Sequence, residues 1–367
     1  MENVKILLTS DLHLGMERMN PLISRDERFQ TFLKIMSLAS EHDILLLAGD
    51  ILNAGGLDSR YIDSINNELM KASDAGTEIY FTPGSGEIEP EGRLHEQISE
   101  LNTTYTFYEN RKEMMIKSDK GEIFIYGQQN GNSPFSPDIR RKEKQGFHIG
   151  LFYADFSPQS TEKNSQGCIG KKEIKNMDLD FFAMGKSHNF RLFRFSERLL
   201  GAYPGSPEPC TIDECGDRFV ISMEIENNRV SFLKRLPVNT VSIRSHEIEC
   251  TEIKDEKELI ERIKNAGSRD TMNRLELHGE RDFAIGPALS EKLTGYFRGL
   301  KIVDMTEPSQ KTFLEEGAAG DSFRASFFRN LEARIKNDPA NSPDYNFIKD
   351  IISGKNGKTG GVLFCDS

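Results

Sequence analysis

No apolar run in this 367-residue chain approaches the roughly 20 residues that cross a bilayer; runs such as Ile44–Ala48 and Ile6–Leu8 have the length of strands. No membrane partner is expected. Residues 1–10 (MENVKILLTS) lack a basic leader followed by an apolar stretch, so no secretory signal is expected and the cytoplasm is the expected location. Cysteine is scarce. Cys168, Cys210, Cys215, Cys250 and Cys365 are odd in number and form no CxxC pair, which argues against a disulfide framework and against a thiolate zinc site; reduced thiols are expected. Positive charge is also short: 47 basic against 58 acidic residues leave a formal charge of -11. The chain therefore lacks the overall basicity of proteins that grip phosphate backbones by counterion release. Two short basic stretches, at 140–144 and 171–175, are each interrupted by a glutamate and read as solvated faces.

What is present is a layered α/β pattern. Over the first 200 residues, strand-like runs at Val4–Leu8, Ile44–Ala48, Glu78–Thr82, Ile123–Tyr126, Ile149–Tyr153 and Phe181–Met184 alternate with helical patterns. Phe29, Phe32, Leu33 and Met36 recur at i, i+3, i+4 and i+7, and Ser24 is placed to cap that helix. A hairpin is expected from Phe219–Ile225 and Val230–Leu233 around Asn227-Asn228. After Pro237 the pattern restarts as a strand at Thr240–Ile243, a helix at Asp255–Ala266 and a strand at Arg274–Leu277. Two amphipathic helices follow, one carrying Phe323, Phe327, Phe328, Leu331 and Ile335, the other Tyr345, Ile348, Ile351 and Ile352. Three parts are expected: 1–237, 238–306 as a small α+β domain, and 307–367 as a helical tail.

Ligands in α/β domains collect beyond the carboxyl ends of strands, and four such ends carry polar residues in order. They are Asp11-Leu12-His13 after the first strand, Gly49-Asp50 after the second, Gly84-Ser85-Gly86-Glu87 after the third, and Gly185-Lys186-Ser187-His188 after Phe181–Met184. Carboxylate oxygen and imidazole nitrogen together suit a divalent ion. This ordered set resembles the calcineurin-like metallophosphoesterases, whose pattern is D-x-H, G-D, G-N-H-D/E, a strand ending in His, and G-H-x-H. With Tyr203-Pro204-Gly205-Ser206-Pro207, the small domain and the helical tail, it is similar to the SbcD-type DNA-repair exonucleases over nearly the whole chain.

The resemblance implies a β-sandwich flanked by helices, an α+β capping domain, and two divalent ions about 4 Å apart that hydrolyse phosphodiesters. It assigns one ion to Asp11, His13, Asp50 and His188, all present. The second ion's positions read Ser85, Tyr153 and Lys186 beside the shared Asp50, and Gly86 stands where the family has its leaving-group histidine. An ammonium about 4 Å from a dication is repelled by roughly 8 kcal/mol at an effective dielectric near 20, so Lys186 is expected to replace the second ion, pairing with Asp50 or steadying phosphate charge. Glu87 and Asp155 are the candidate substitute ligands. His148 lies five residues before Tyr153, on the opposite strand face.

One ion, Mn²⁺, is expected ahead of a metal-free site and of two ions with unusual ligands, with weak or impaired hydrolysis of DNA ends. The alternative is an inactive scaffold that binds DNA or an SbcC-like ATPase through residues 321–354. A homodimer is open.

Overall fold

The computed structural model describes residues 3–16, 23–53, 57–88, 104–107, 115–128, 139–157, 167–196, 199–286, 288–293 and 295–337. They fall in two compact units, 1–244 and 245–367.

In the first unit, strands and helices run in the order β1 (Val4–Thr9), α1 (Arg25–Ala39), β2 (Ile44–Ala48), α2 (Ser59–Asp74), β3 (Glu78–Thr82), α3 (Ser85–Ile88), β4 (Thr104–Thr106), β5 (Met115–Lys117), β6 (Ile123–Gly127), β7 (Phe147–Tyr153), β8 (Asp155–Ser157), β9 (Cys168–Gly170), α4 (Lys171–Met177), β10 (Phe181–Gly185), β11 (Arg191–Arg194), β12 (Leu200–Tyr203), β13 (Phe219–Glu226) and β14 (Arg229–Pro237). Two six-stranded sheets form, ordered β14-β13-β1-β2-β3-β4 and β11-β12-β10-β7-β6-β5. The inner strands of each are parallel, including β1–β2–β3 and β6–β7–β10, so their carboxyl ends gather along one edge.

Side-chain alternation explains the layering. Ile6, Leu8, Ile44, Leu46, Tyr80, Ile149, Leu151, Phe181 and Ala183 meet in a core shared by both sheets. Their neighbours Leu7, Leu45, Leu47, Ile79 and Phe81 point the other way and pack with Phe32, Ile35, Ile65 and Leu69 of α1 and α2. On the far side, Phe152, Phe182 and Met184 pack with Ile174 and Met177 of α4. The result is an α/β sandwich of two mixed sheets flanked by helices. At Gly185 the sheets approach so closely that a Cβ would collide with the Ala48 carbonyl.

Local signals are honoured at several ends. Ser24 caps α1 in a reciprocal capping box with Glu27. Ser24→Ala is expected to cost about 1 kcal/mol, read as a lower denaturation midpoint. Asn227 and Asn228 take φ of 51° and 56° between Glu226 and Arg229, as a tight two-residue hairpin requires. The strand expected at Thr240–Ile243 instead begins at Ile243. The Thr240 N–H and hydroxyl donate to the buried Glu208 carboxylate, which takes them out of any sheet ladder.

In the second unit, β15 (Ile243–Glu249), β16 (Met272–His278) and β18 (Gly299–Asp304) form a three-stranded sheet, with β17 (Glu280–Arg281) and β19 (Glu307–Pro308) as a short parallel pair. Helix α5 (Glu256–Ala266), capped by Asp255, buries Leu259 and Ile263, and α6 (Leu289–Lys292) buries Leu289. α7 (Gln310–Gly317) packs on α8 (Phe323–Asn337) through Leu314, Phe328 and Leu331, while Phe323 and Phe327 are exposed. The helix expected around Tyr345–Ile352 lies outside the described residues.

Candidate metal centre

The chain beyond β1 stays paired with the chain beyond β2. Asp11 N–H donates to Gly49 O (2.9 Å), His13 N–H to Asp50 O (3.0 Å) and Leu14 N–H to Ile51 O (2.9 Å). These bonds bring Asp11, His13 and Asp50 together, all three buried, with one ligand atom of each within 4.8 Å of the others. The backbone bends sharply to do so: Asp11, His13 and Asp50 have φ of 51°, 50° and 49°, and Lys186 has 98°. L-residues are uncommon there, and the cost is carried where side chains must point into one pocket.

His188 arrives from beyond β10. Its Nε2 lies 3.2 Å from His13 Nε2, and its Nδ1 lies 3.0 Å from Glu214 Oε1. Since a carboxylate accepts, His188 donates from Nδ1, which turns Nε2 toward His13. Cys210 completes a second group: its sulfur and one nitrogen each of His13 and His188 lie within 4.8 Å of one another. Burial pushes the Cys210 thiol up, but hydrogen bonds with His13 and His188 and the charge of both histidines together bring it down to about 6. Hydrogen bonds to Cys210 and Glu214 raise His188 to about 11. Burial pushes the Asp11 carboxyl up to about 6, against the pull of His13 and the Ser10 hydroxyl.

The donor set fits a divalent cation: carboxylates supply charge, and two imidazole nitrogens face each other across a gap that demands a proton or a cation. Asp11, His13, Asp50 and His188, the residues expected to hold an ion, are thus brought to one place, with Cys210 beside the two histidines.

The positions implied for a second ion are differently occupied. Tyr153 donates its hydroxyl to Asp50 Oδ2 (2.6 Å), and the Gly86 N–H donates to Asp50 Oδ1 (3.0 Å). Burial, then the Asp50 and Asp11 charges, hold the Tyr153 phenol well above its ordinary range, so it stays a neutral donor. Gly49, at φ 81°, is required here because a Cβ would enter the Tyr153 ring. Ser85 is exposed, with its hydroxyl 3.3 Å from that of Tyr153.

Lys186 departs from the expected pairing. Its ammonium binds Asp155 Oδ2 at 2.8 Å rather than Asp50, while its backbone N–H donates to both oxygens of Asp11 (3.2 and 3.1 Å). Asp155, just past the end of β7, is exposed and pulls the side chain outward. Glu87 turns inward. Its carboxylate, fully buried, accepts from the N–H groups of Asp50 (3.1 Å), Ile51 (2.6 Å), Leu52 (2.8 Å) and Gly84 (2.6 Å). Burial and the Asp50 charge push its titration up, while the N–H groups of Gly84, Leu52 and Ile51 pull it back toward the charged form that accepts all four donors. It works as a brace for the Asp50 loop. His148 sits on the far face, as its parity requires, bonded to Tyr126 and Gln145.

Residues 4–165 match the family of calcineurin-like phosphoesterases. That stretch is a calcineurin-like metallophosphoesterase domain. No curated protein matches the chain. In this metallophosphoesterase domain and the strands that complete its sandwich, Asp11, His13 and Asp50 lie inside the matched range, whereas Lys186, His188, Cys210 and Glu214 lie beyond it. Cys210 and Glu214 belong to no motif noted above. The signal that finds them is the one applied to the other strands: β12 also ends at this edge, and the chain beyond Tyr203 leads to Cys210.

Proposed function

We propose that this protein is a phosphodiester hydrolase of the SbcD-like DNA-repair type that uses one divalent ion in place of two and turns over slowly. The observation that carries the reading is the Tyr153 hydroxyl on Asp50 Oδ2, beside an intact Asp11, His13, Asp50 and His188 set. Asp11, His13, Asp50 and His188 would hold the ion, which would supply Lewis-acid polarisation of a phosphoryl oxygen.

The chain's own residues account for the slowness. Gly86 offers a backbone N–H, already given to Asp50, where the family carries an imidazole, so that position supplies no proton to a leaving oxygen. Lys186 neutralises Asp155 at the rim. Tyr153 orients Asp50 and, as a neutral donor, adds no charge against phosphate. Absence of a positioned acid typically removes 10²- to 10⁴-fold in rate.

The test is hydrolysis of bis(p-nitrophenyl) phosphate and of blunt double-stranded DNA, with Mn²⁺ and with Zn²⁺. Slow, ion-dependent turnover that disappears in Asp50→Ala is expected. Stoichiometric ion binding with no turnover of either substrate rejects the enzyme and leaves the scaffold. Its partners within this proposal are DNA and an SbcC-like ATPase engaged through residues 321–354, a reading supported by the exposed Phe323 and Phe327 on α8.

A further inference from the structure

We propose that Cys210 is a thiolate ligand of this ion, with His13 and His188, and that it sets the site's preference for Zn²⁺ over Mn²⁺ and Mg²⁺. The inference rests on the ion site proposed above and goes further, since neither the motifs nor the matched domain contain Cys210.

Three observations converge. First, sulfur and two imidazole nitrogens lie within 4.8 Å of one another, all three on side chains whose approach is fixed from different elements. Second, His13 Nε2 and His188 Nε2 are 3.2 Å apart. Two nitrogens bound at about 2.0–2.1 Å to one tetrahedral zinc lie about 3.3–3.4 Å from each other, so the pair is already spaced as a chelate.

Third, one carboxylate holds both partners in place. Glu214 accepts from His188 Nδ1 through Oε1 and from the Cys210 backbone N–H through Oε2, each at 3.0 Å. Ser206 donates to Oε2 (3.0 Å) and Arg218 lies 3.3 Å from it, so the glutamate itself is fixed. Buried Arg28 donates to the Pro209 carbonyl at 3.0 Å, pinning the residue before the cysteine. Carboxylates that orient a ligating histidine through its second nitrogen are characteristic of metal sites, and here the same group also places the thiol.

The ion class follows from the donors. Mn²⁺ and Mg²⁺ favour oxygen, whereas a sulfur and two imidazoles select a borderline ion such as Zn²⁺, with Co²⁺ as its spectroscopic substitute. Asp11 and Asp50, grouped with the same His13, supply the oxygens.

The experiment uses the full chain, stripped with a chelator and titrated with Co²⁺ under reducing conditions. A near-ultraviolet sulfur-to-cobalt charge-transfer band is expected, kept in Cys215→Ser and lost in Cys210→Ser, which still takes up Co²⁺. In competition, the Zn²⁺-over-Mn²⁺ preference is expected to shrink by about tenfold or more in Cys210→Ser. Cys210→Asp, which keeps a charged donor with oxygen in place of sulfur, is expected to move the preference further toward Mn²⁺. Co²⁺ uptake that depends on His13 but shows no sulfur band overturns the Cys210 proposal and leaves the ion site standing. No uptake of Co²⁺, Zn²⁺ or Mn²⁺ overturns both.

Discussion

Glu87→Ala is expected to cost the metallophosphoesterase domain about 4 kcal/mol or more of stability, since each buried donor left without an acceptor costs about 1–3 kcal/mol. Four backbone N–H groups converge on that carboxylate, three of them from consecutive residues 50–52. Such a bend cannot satisfy its own amides, because neighbouring N–H groups that point inward have no ladder partner. Glutamine is not a rescue: each carboxylate oxygen receives two donors, so an amide NH₂ faces two N–H groups whichever way it is flipped. Hydrogen exchange read by mass spectrometry separates the two compact units and reports the first directly. Unchanged protection across residues 44–53 in Glu87→Ala sinks the bracing role.

Combining Ser85→Asn, Gly86→His, Tyr153→His and Lys186→His is expected to raise phosphodiester turnover by about 10²- to 10⁴-fold, the range a positioned general acid commands. The structure has room for the decisive change. A Cβ at Gly86 would lie 3.6 Å from Asp50 Oδ1 and 3.7 Å from Leu52 O, ordinary contact distances, on backbone that any residue adopts. Tyr153→His removes the phenol from Asp50 Oδ2, and Lys186→His removes an ammonium from the rim while Asp155 remains. Initial rates against bis(p-nitrophenyl) phosphate, with ion stoichiometry measured on the same samples, decide the matter. A variant that gains a second ion and no rate shows that the four substitutions do not explain the slowness.

The framework was readable because buried parallel strands announce themselves: Ile44–Ala48 is apolar at every position, and Phe181–Met184 likewise, with one face for each layer. Asp11, His13, Asp50 and His188 were readable for a related reason. Strand ends at one edge deliver whatever follows them to a common place, so linear order maps onto proximity. Lys186 and Glu87 were not, because their partners depend on which way a side chain leaves the bend. Lys186 has a carboxylate within reach outside the pocket, and desolvating an ammonium among other groups is the costlier choice. Glu87 answers a demand for acceptors made by the backbone, and backbone demand leaves no mark on composition.

Cys210 was passed over for a different reason. Counting CxxC pairs detects sites built wholly of thiolates and is blind to a single sulfur joining histidines 22 and 197 residues away in the chain. Thr240 shows the same limit on a smaller scale: its β-branched side chain suits a strand, but the buried Glu208 carboxylate claims it.

Asp11, His13, Asp50 and Lys186 occupy backbone conformations in which glycine is at ease and side chains are not. Three of them, Asp11, His13 and Asp50, face one point, so glycine at any of these three is expected to relax the bend while removing a ligand, and stability and ion binding pull in opposite directions there.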